Sequence, residues 1–157
     1  MVNYTIYTDG GCRGNPGPGA WAFIVYNQSA TRIGSKSAPS DGVTTNNEME
    51  MLAIQKALEW AVKSPTRSIE ICTDSQFCKN GIESWMWGWE KNGWTKKSPG
   101  EIKNLDIWKE IHKLASAYKD MHGEIPTIIK VKGHSGDVRN NEVDALVNVV
   151  MTEEEMK

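Results

Sequence analysis

The 157-residue chain has no apolar run approaching the roughly 20 residues that span a bilayer, which excludes a membrane-spanning helix. No leader is expected either: Met1 runs straight into a strand, with no basic region, apolar segment or small-residue cleavage site, so the expected location is cytoplasmic. Cysteine is scarce. Cys12, Cys72 and Cys78 are odd in number and lack zinc-ligand spacing, which argues against a disulfide framework or zinc site and leaves them as core or incidental thiols. A bulk positive charge is missing as well: the net charge is −2, so the chain cannot coat nucleic acid by overall electrostatics, and any basic surface must be local. There is no dividing linker, and no repeat beyond one doubled strand ending. The expectation is one domain over residues 1–152 and a short, frayed acidic tail over 153–157, with a monomer as the default state.

What the chain does have is that doubled ending. Ile6-Tyr7-Thr8-Asp9-Gly10 returns almost unchanged as Ile71-Cys72-Thr73-Asp74-Ser75. Each segment begins with β-favouring residues and stops where an aspartate meets a turn former. If the two strands lie parallel and adjacent, their carboxylates converge beyond the carboxyl ends of the strands, where open α/β sheets place their sites.

In chain order, residues 3–9 form strand one, and the Gly/Pro-rich stretch 10–19 reads as a tight loop. Strands two and three, at 20–26 and 32–38, complete an antiparallel meander. The period then changes. Residues 44–63 are helical, with Thr45 and Glu48 spaced as a capping box. At about 100° per residue, Met49, Ala53, Ile54, Ala57, Trp60 and Ala61 share a face with Glu50, while Glu48 falls on the opposite side with Gln55 and Glu59. Glu50 therefore points toward the sheet, where a lone acid is costly without a cation or hydrogen-bond donors. Strand four is 68–73, followed by a short helix at 75–81, a tryptophan-rich helix, and a helix at 104–118. Strand five is 127–132, and a loop holding His134 leads to a final helix near Asn140 that carries Asp144. The fold class is α/β: a five-stranded mixed sheet, strands 1–3 antiparallel and strands 4 and 5 parallel to strand 1, flanked by helices.

Asp9, Glu50, Asp74 and Asp144 thus make a set of four acids. Clustered carboxylates repel one another unless divalent cations neutralise them, and hard oxygen ligands suit Mg²⁺ or Mn²⁺ rather than zinc. Two such ions can activate water and stabilise the leaving oxygen of a phosphodiester, so phosphoryl transfer is the matching chemistry. Any one of these acids could be a cap or a surface charge; the pattern is stronger than its members.

The segments 7–19, 44–50 with its Thr-Thr-Asn-Asn start, 73–76, and 131–136 followed by Asn140 and Asp144 resemble the signatures of the type 1 ribonucleases H, in order and over nearly the whole chain. The resemblance implies a ribonuclease H-like fold and an endonuclease that cleaves the RNA strand of an RNA/DNA hybrid, leaving 5′-phosphate and 3′-hydroxyl ends. It makes Asp9, Glu50, Asp74 and Asp144 the ligands of two Mg²⁺ ions, with Mn²⁺ able to substitute. His134 matches the loop histidine that helps the leaving group or product depart. His112 and His122 match no motif and read as surface residues. Asn15, Asn46 and Gln76 match residues along the hybrid's minor groove, where 2′-hydroxyls are displayed. Thr45, at a helix N-terminus, is both a cap and a candidate phosphate contact. Trp85 and Trp108 match positions lining the channel for the DNA strand, although tryptophans at helical spacing are also ordinary core. Asn140 joins the substrate-binding set.

Two departures stand out. Members often carry an acid directly after the residue matched by Asn140, whereas here Asn141 stands there and Glu142 follows. The basic segment is also diluted by Glu90 and Asn92, although Gly93, Trp94, Lys96 and Lys97 keep its character. Between Lys91 and Lys113, six lysines face three acids, a local charge of +3. The alternatives are a DNA-directed nuclease or strand-transfer enzyme of the same fold, a non-catalytic hybrid-binding module, and nucleophilic hydrolysis through Cys12 or Ser75. The last has no identifiable base.

Overall fold

The computed structural model describes residues 2–132 and 137–157. Five strands form one sheet in the order β3-β2-β1-β4-β5. They are β1 (Tyr4–Cys12), β2 (Gly17–Asn27), β3 (Arg32–Thr44), β4 (Ile69–Thr73) and β5 (Thr127–Lys130). The first three pair antiparallel, and β4 and β5 run parallel to β1, the mixed sheet expected from the strand pattern. The helices are α1 (Asn46–Ala61), α2 (Gln76–Asn80), α3 (Met86–Lys91), α4 (Leu105–His122) and α5 (Val138–Glu155), and a π-helical turn (Gly81–Trp85) joins α2 to α3.

The central strands β1, β2 and β4 are buried on both faces, while the edge strand β3 is largely exposed. Ile6, Phe23, Val25, Ile69 and Ile71 pack beneath Met51, Ile54, Leu58, Ile111 and Ala115 of α1 and α4. On the opposite face Tyr7, Ile24, Tyr26 and Cys72 meet Val143, Val147 and Met151 of α5. This alternation of side chains along β1 and β2 produces two cores from one sheet.

Several boundaries differ from the sequence reading. The expected loop 10–19 contracts to a connection between β1 and β2, because Gly10, Gly11 and Cys12 continue the ladder against Trp21, Ala20 and Gly19. Strand β3 runs on to Thr44, pairing Val43 and Thr44 with Pro18 and Gly17 across an irregularity in register. Helix α5 starts before Asn140 and is still helical at Glu155, where a frayed tail was expected. Asp137 caps its start, accepting from the amides of Arg139 (3.0 Å) and Asn140 (3.4 Å), and its last turn is tied at Glu155 to Arg13.

Candidate active site

The register between β1 and β4 pairs Ile6 with Ile71 and Tyr7 with Cys72. Continued two residues, it sets Asp9 beside Asp74 at the ends of adjacent parallel strands. Helix α1 supplies the third acid. Thr45 holds its N-terminus, the Oγ1 accepting from the Glu48 amide at 3.2 Å. The helical phase then turns Glu50 inward, 8% exposed, while Glu48 stays half-buried at the helix edge. A Cβ on Gly10 would collide with the backbone of Met49 and Glu50, so only glycine lets β1 approach α1 this closely. At that contact the Gly10 amide donates a hydrogen bond to Oε1 of Glu50.

Asp9, Glu50 and Asp74 offer oxygen atoms that all lie within 4.8 Å of one another. Asp144, half-buried on α5, borders the same cleft, and Asn148 one turn on donates to its backbone carbonyl at 3.0 Å. Burial drives the Asp9 carboxyl up to about 7; its hydrogen bond with Glu50 opposes that rise, and the charges of Asp74 and Asp144 add to it. Burial also raises Glu50 well above the ordinary carboxylate range, reinforced by the charges of Asp9 and Asp74 and by hydrogen bonds with both. Such a set stores repulsion that a proton or a cation must relieve. Its donors are closely spaced hard carboxylate oxygens with no nitrogen or sulfur among them, the chemistry of a divalent-cation site of the Mg²⁺ or Mn²⁺ kind. The residues fit such an ion.

The other sequence-predicted residues are spread around these acids. Asn15 and Asn46 form a brace beside the acids: Oδ1 of Asn15 accepts from the Asn46 amide (3.2 Å), and Oδ1 of Asn46 accepts from the Cys12 amide (3.0 Å). Gln76 is exposed at the start of α2, its Nε2 donating to Asn80 at 2.8 Å. Ser75 accepts from the Cys78 amide as the N-cap of α2, so its hydroxyl serves to start that helix rather than as a nucleophile. Asn140 is buried at the start of α5. His134 lies outside the described residues.

Alongside the acidic cleft runs a second groove of about 840 Å³, walled by Trp85, Trp89, Lys96, Lys97 and Lys103 and bordered by Asn47 of α1. Asn47 also borders the acidic cleft, so the two grooves meet at α1. Trp85 is 37% exposed and meets Phe77 edge-on and Trp89 at a tilt. Trp108 differs: it is fully buried, packed against Phe77 and Trp89 beneath the groove, where it supports the wall without offering a face to solvent. Gly81 makes room for that indole, since a Cβ there would overlap the Trp108 ring. Glu142 is engaged elsewhere. Its carboxylate accepts from the Tyr26 hydroxyl at 2.9 Å and pairs with Arg32 at 3.6 Å, so it does not replace the acid that Asn141 displaces.

Sequence reasoning missed Asp137, Tyr7 and Arg139. Tyr7 donates to Asp137 at 2.9 Å, and the Arg139 guanidinium sits 5.1 Å from the Tyr7 ring and 5.6 Å from that of Tyr26. The signal for Asp137 was present as an aspartate before a helix, but no Glu or Gln follows at the third position to complete a capping box.

The RNase H family model matches residues 1–151. A ribonuclease H of Treponema denticola is 38% identical over 157 residues, covering 92% of this chain and 94% of its own. One from Chlorobaculum parvum is 41% identical over 152 residues, 96% of each chain. Among solved structures, LC11-RNase H1 in complex with an RNA/DNA hybrid superposes with a TM-score of 0.61 at 25% identity, covering 96% of this chain and 98% of that one. Strand pairing, acid placement and these full-length likenesses agree, and the chain belongs to the ribonuclease H family.

Proposed function

We propose that the protein is an endonuclease that hydrolyses the RNA strand of RNA/DNA hybrids with two Mg²⁺ ions, leaving 5′-phosphate and 3′-hydroxyl ends. The observation that carries this reading is the convergence of Asp9, Glu50 and Asp74, with Asp144 on the same cleft, next to a groove lined by tryptophan and lysine. Bound divalent cations supply an activated water and stabilisation of the leaving oxygen. The chain's own part is to hold that chemistry in register. Asp9, Glu50, Asp74 and Asp144 are the ligands, and the Gly10 amide holds one oxygen of Glu50 in place beside the cleft. Asn15 and Asn46 present amide groups beside the acids, suited to the 2′-hydroxyls that distinguish RNA from DNA. Thr45 and Gln76, at the starts of α1 and α2, are assigned to the same substrate surface. Trp85 offers a flat face for stacking in the second groove, with Lys96 and Lys97 compensating backbone charge and Trp108 as a buried support. His134 is assigned, by its match to the family's loop histidine, to proton donation or product departure.

The test is incubation with labelled RNA/DNA hybrid, duplex RNA, duplex DNA and single strands, with Mg²⁺ or with chelator. The expected result is cleavage of the hybrid's RNA strand in Mg²⁺ alone, abolished in Asp9→Asn while the variant remains folded. Cleavage of duplex DNA, or hybrid binding without cleavage in any divalent ion, would sink the assignment.

A further inference from the structure

The cleft must admit a polyanion, yet four carboxylates line it. Among the described residues bordering it the only cationic side chain is Arg13. In this structure Arg13 is occupied. Its Nη1 lies 2.8 Å from Oε1 of Glu155, and its Nη2 donates to Oγ1 of Thr152 at 3.2 Å, so the end of α5 reaches back to the connection between β1 and β2. The pair is exposed, 40% for Arg13 and 46% for Glu155, the setting in which an ion pair contributes little stability and exchanges partners readily.

The geometry of the two elements sets where such an exchange would happen. Arg13 lies just past the end of β1, and the three strand steps from Asp9 to Cys12 alone span about 10 Å at ~3.3 Å per residue. Thr152 follows Asp144 by eight residues along α5, about 12 Å at ~1.5 Å per residue. Strand and helix therefore run outward together from the acid cluster, with Val147, Asn148 and Met151 forming the side of the cleft between them. A nucleic-acid strand lying in the cleft places successive phosphates along this line. Such a strand brings a phosphate a few nucleotides from the acids within reach of Arg13. A guanidinium can take a phosphate with two nitrogens at once, whereas here one is on Glu155 and the other on Thr152, so a phosphate competes with Glu155 for the same group.

Resting on the hybrid-nuclease reading above, we propose that Arg13 is a backbone-phosphate contact for the RNA strand and that Glu155 withholds it until substrate arrives. Glu155 is then a built-in competitor, and its removal tightens binding. The contact is distinct from the Lys96 and Lys97 groove and lies on the acid-cluster side of the molecule.

The experiment measures Michaelis constants for a hybrid at several salt concentrations in Arg13→Ala, Glu155→Gln, Glu155→Ala and the Arg13→Ala/Glu155→Ala double variant. Arg13→Ala is expected to raise KM by roughly 3- to 10-fold, lower the salt slope by about one, and leave kcat unchanged. Both Glu155 variants are expected to lower KM by about 2- to 3-fold at low salt. The double variant should match Arg13→Ala alone, because Glu155 acts through Arg13. Thermal midpoints should stay within a degree or two of the parent, separating a substrate contact from a structural brace. If KM and salt slope were unchanged in Arg13→Ala, or if loss of Glu155 raised KM as loss of Arg13 does, the pair would be a brace and the assignment would fall. A parent chain that cleaves no hybrid overturns the parent reading as well, a different result from cleavage indifferent to Arg13.

Discussion

At Gly10 strand and helix meet with no space for a methyl group, and the amide there holds Glu50, a buried catalytic candidate. Gly10→Ala forces the backbone of Met49 and Glu50 to move. Overpacking of this kind costs about 1–3 kcal/mol, and the shift carries the Glu50 carboxylate with it. The expected outcome is a lowered thermal midpoint together with a fall in kcat at saturating metal. A stable Gly10→Ala protein with parent activity would show that β1 and α1 can separate without consequence for the site. The two neighbouring acids of α1 were separable from sequence because helical phase alone distinguishes them: Glu50 shares its side with buried Met49, Ala53, Ile54 and Ala57. Trp108 was not separable. Its spacing suits both a channel wall and a core, and only the collision of a Gly81 Cβ with its ring shows how tightly the indole is enclosed.

The elements repeat that lesson at longer range. The doubled strand ending was legible because it needs only local alternation and a turn former, and the parallel register of β1 and β4 makes the two copies neighbours. Strand ends were less legible. The Gly-rich start of β2 and the Pro39 to Thr44 stretch of β3 have turn-like composition, yet they pair with one another, and cross-strand partners override local preference. The helix from Gln76 to Lys91 carries a π-turn at Gly81–Trp85. Such turns insert a residue without ending a helix, and here the insertion lies where Trp85 faces the groove and Gly81 faces Trp108. The lysine-bearing segment after it shares that groove, at a distance in sequence from all four acids. Neutralising Lys96 and Lys97 together should therefore raise KM and flatten its dependence on salt while leaving kcat nearly unchanged. A steady KM at moderate salt would show that the groove is not a substrate handle.

Across the whole molecule, folding brings together acids from β1, α1, β4 and α5, so the repulsion among them exists only in the folded state. This links stability to pH and to metal. With chelator present, Asp9 titrates at about 7 when folded, against an ordinary value of 3.8, and Glu50 is raised in the same direction. A carboxyl raised on folding holds its proton more tightly in the native state than in the unfolded one. The resulting stability is fully present below about pH 4 and is lost as pH rises through 7. A shift of this size at ~1.4 kcal/mol per pKa unit sets a ceiling of about 4 kcal/mol for Asp9, and relaxation of the cleft lowers it. Metal-free protein should therefore melt at a lower temperature at pH 8 than at pH 5.5. Adding Mg²⁺ or Mn²⁺ should raise the midpoint mainly at pH 8, because at the lower pH protons already neutralise the site and compete with the ion. Asp9→Asn carries no charge to relieve, so its metal-free midpoint at pH 8 should equal or exceed the parent's, with a flatter pH profile and a smaller gain from metal. Calorimetry of both proteins at the two pH values, with chelator and with metal, decides the matter: a parent midpoint that rises from pH 5.5 to 8 in chelator would mean that the acids are not in mutual repulsion, and the electrostatic basis for a cation site here would be lost.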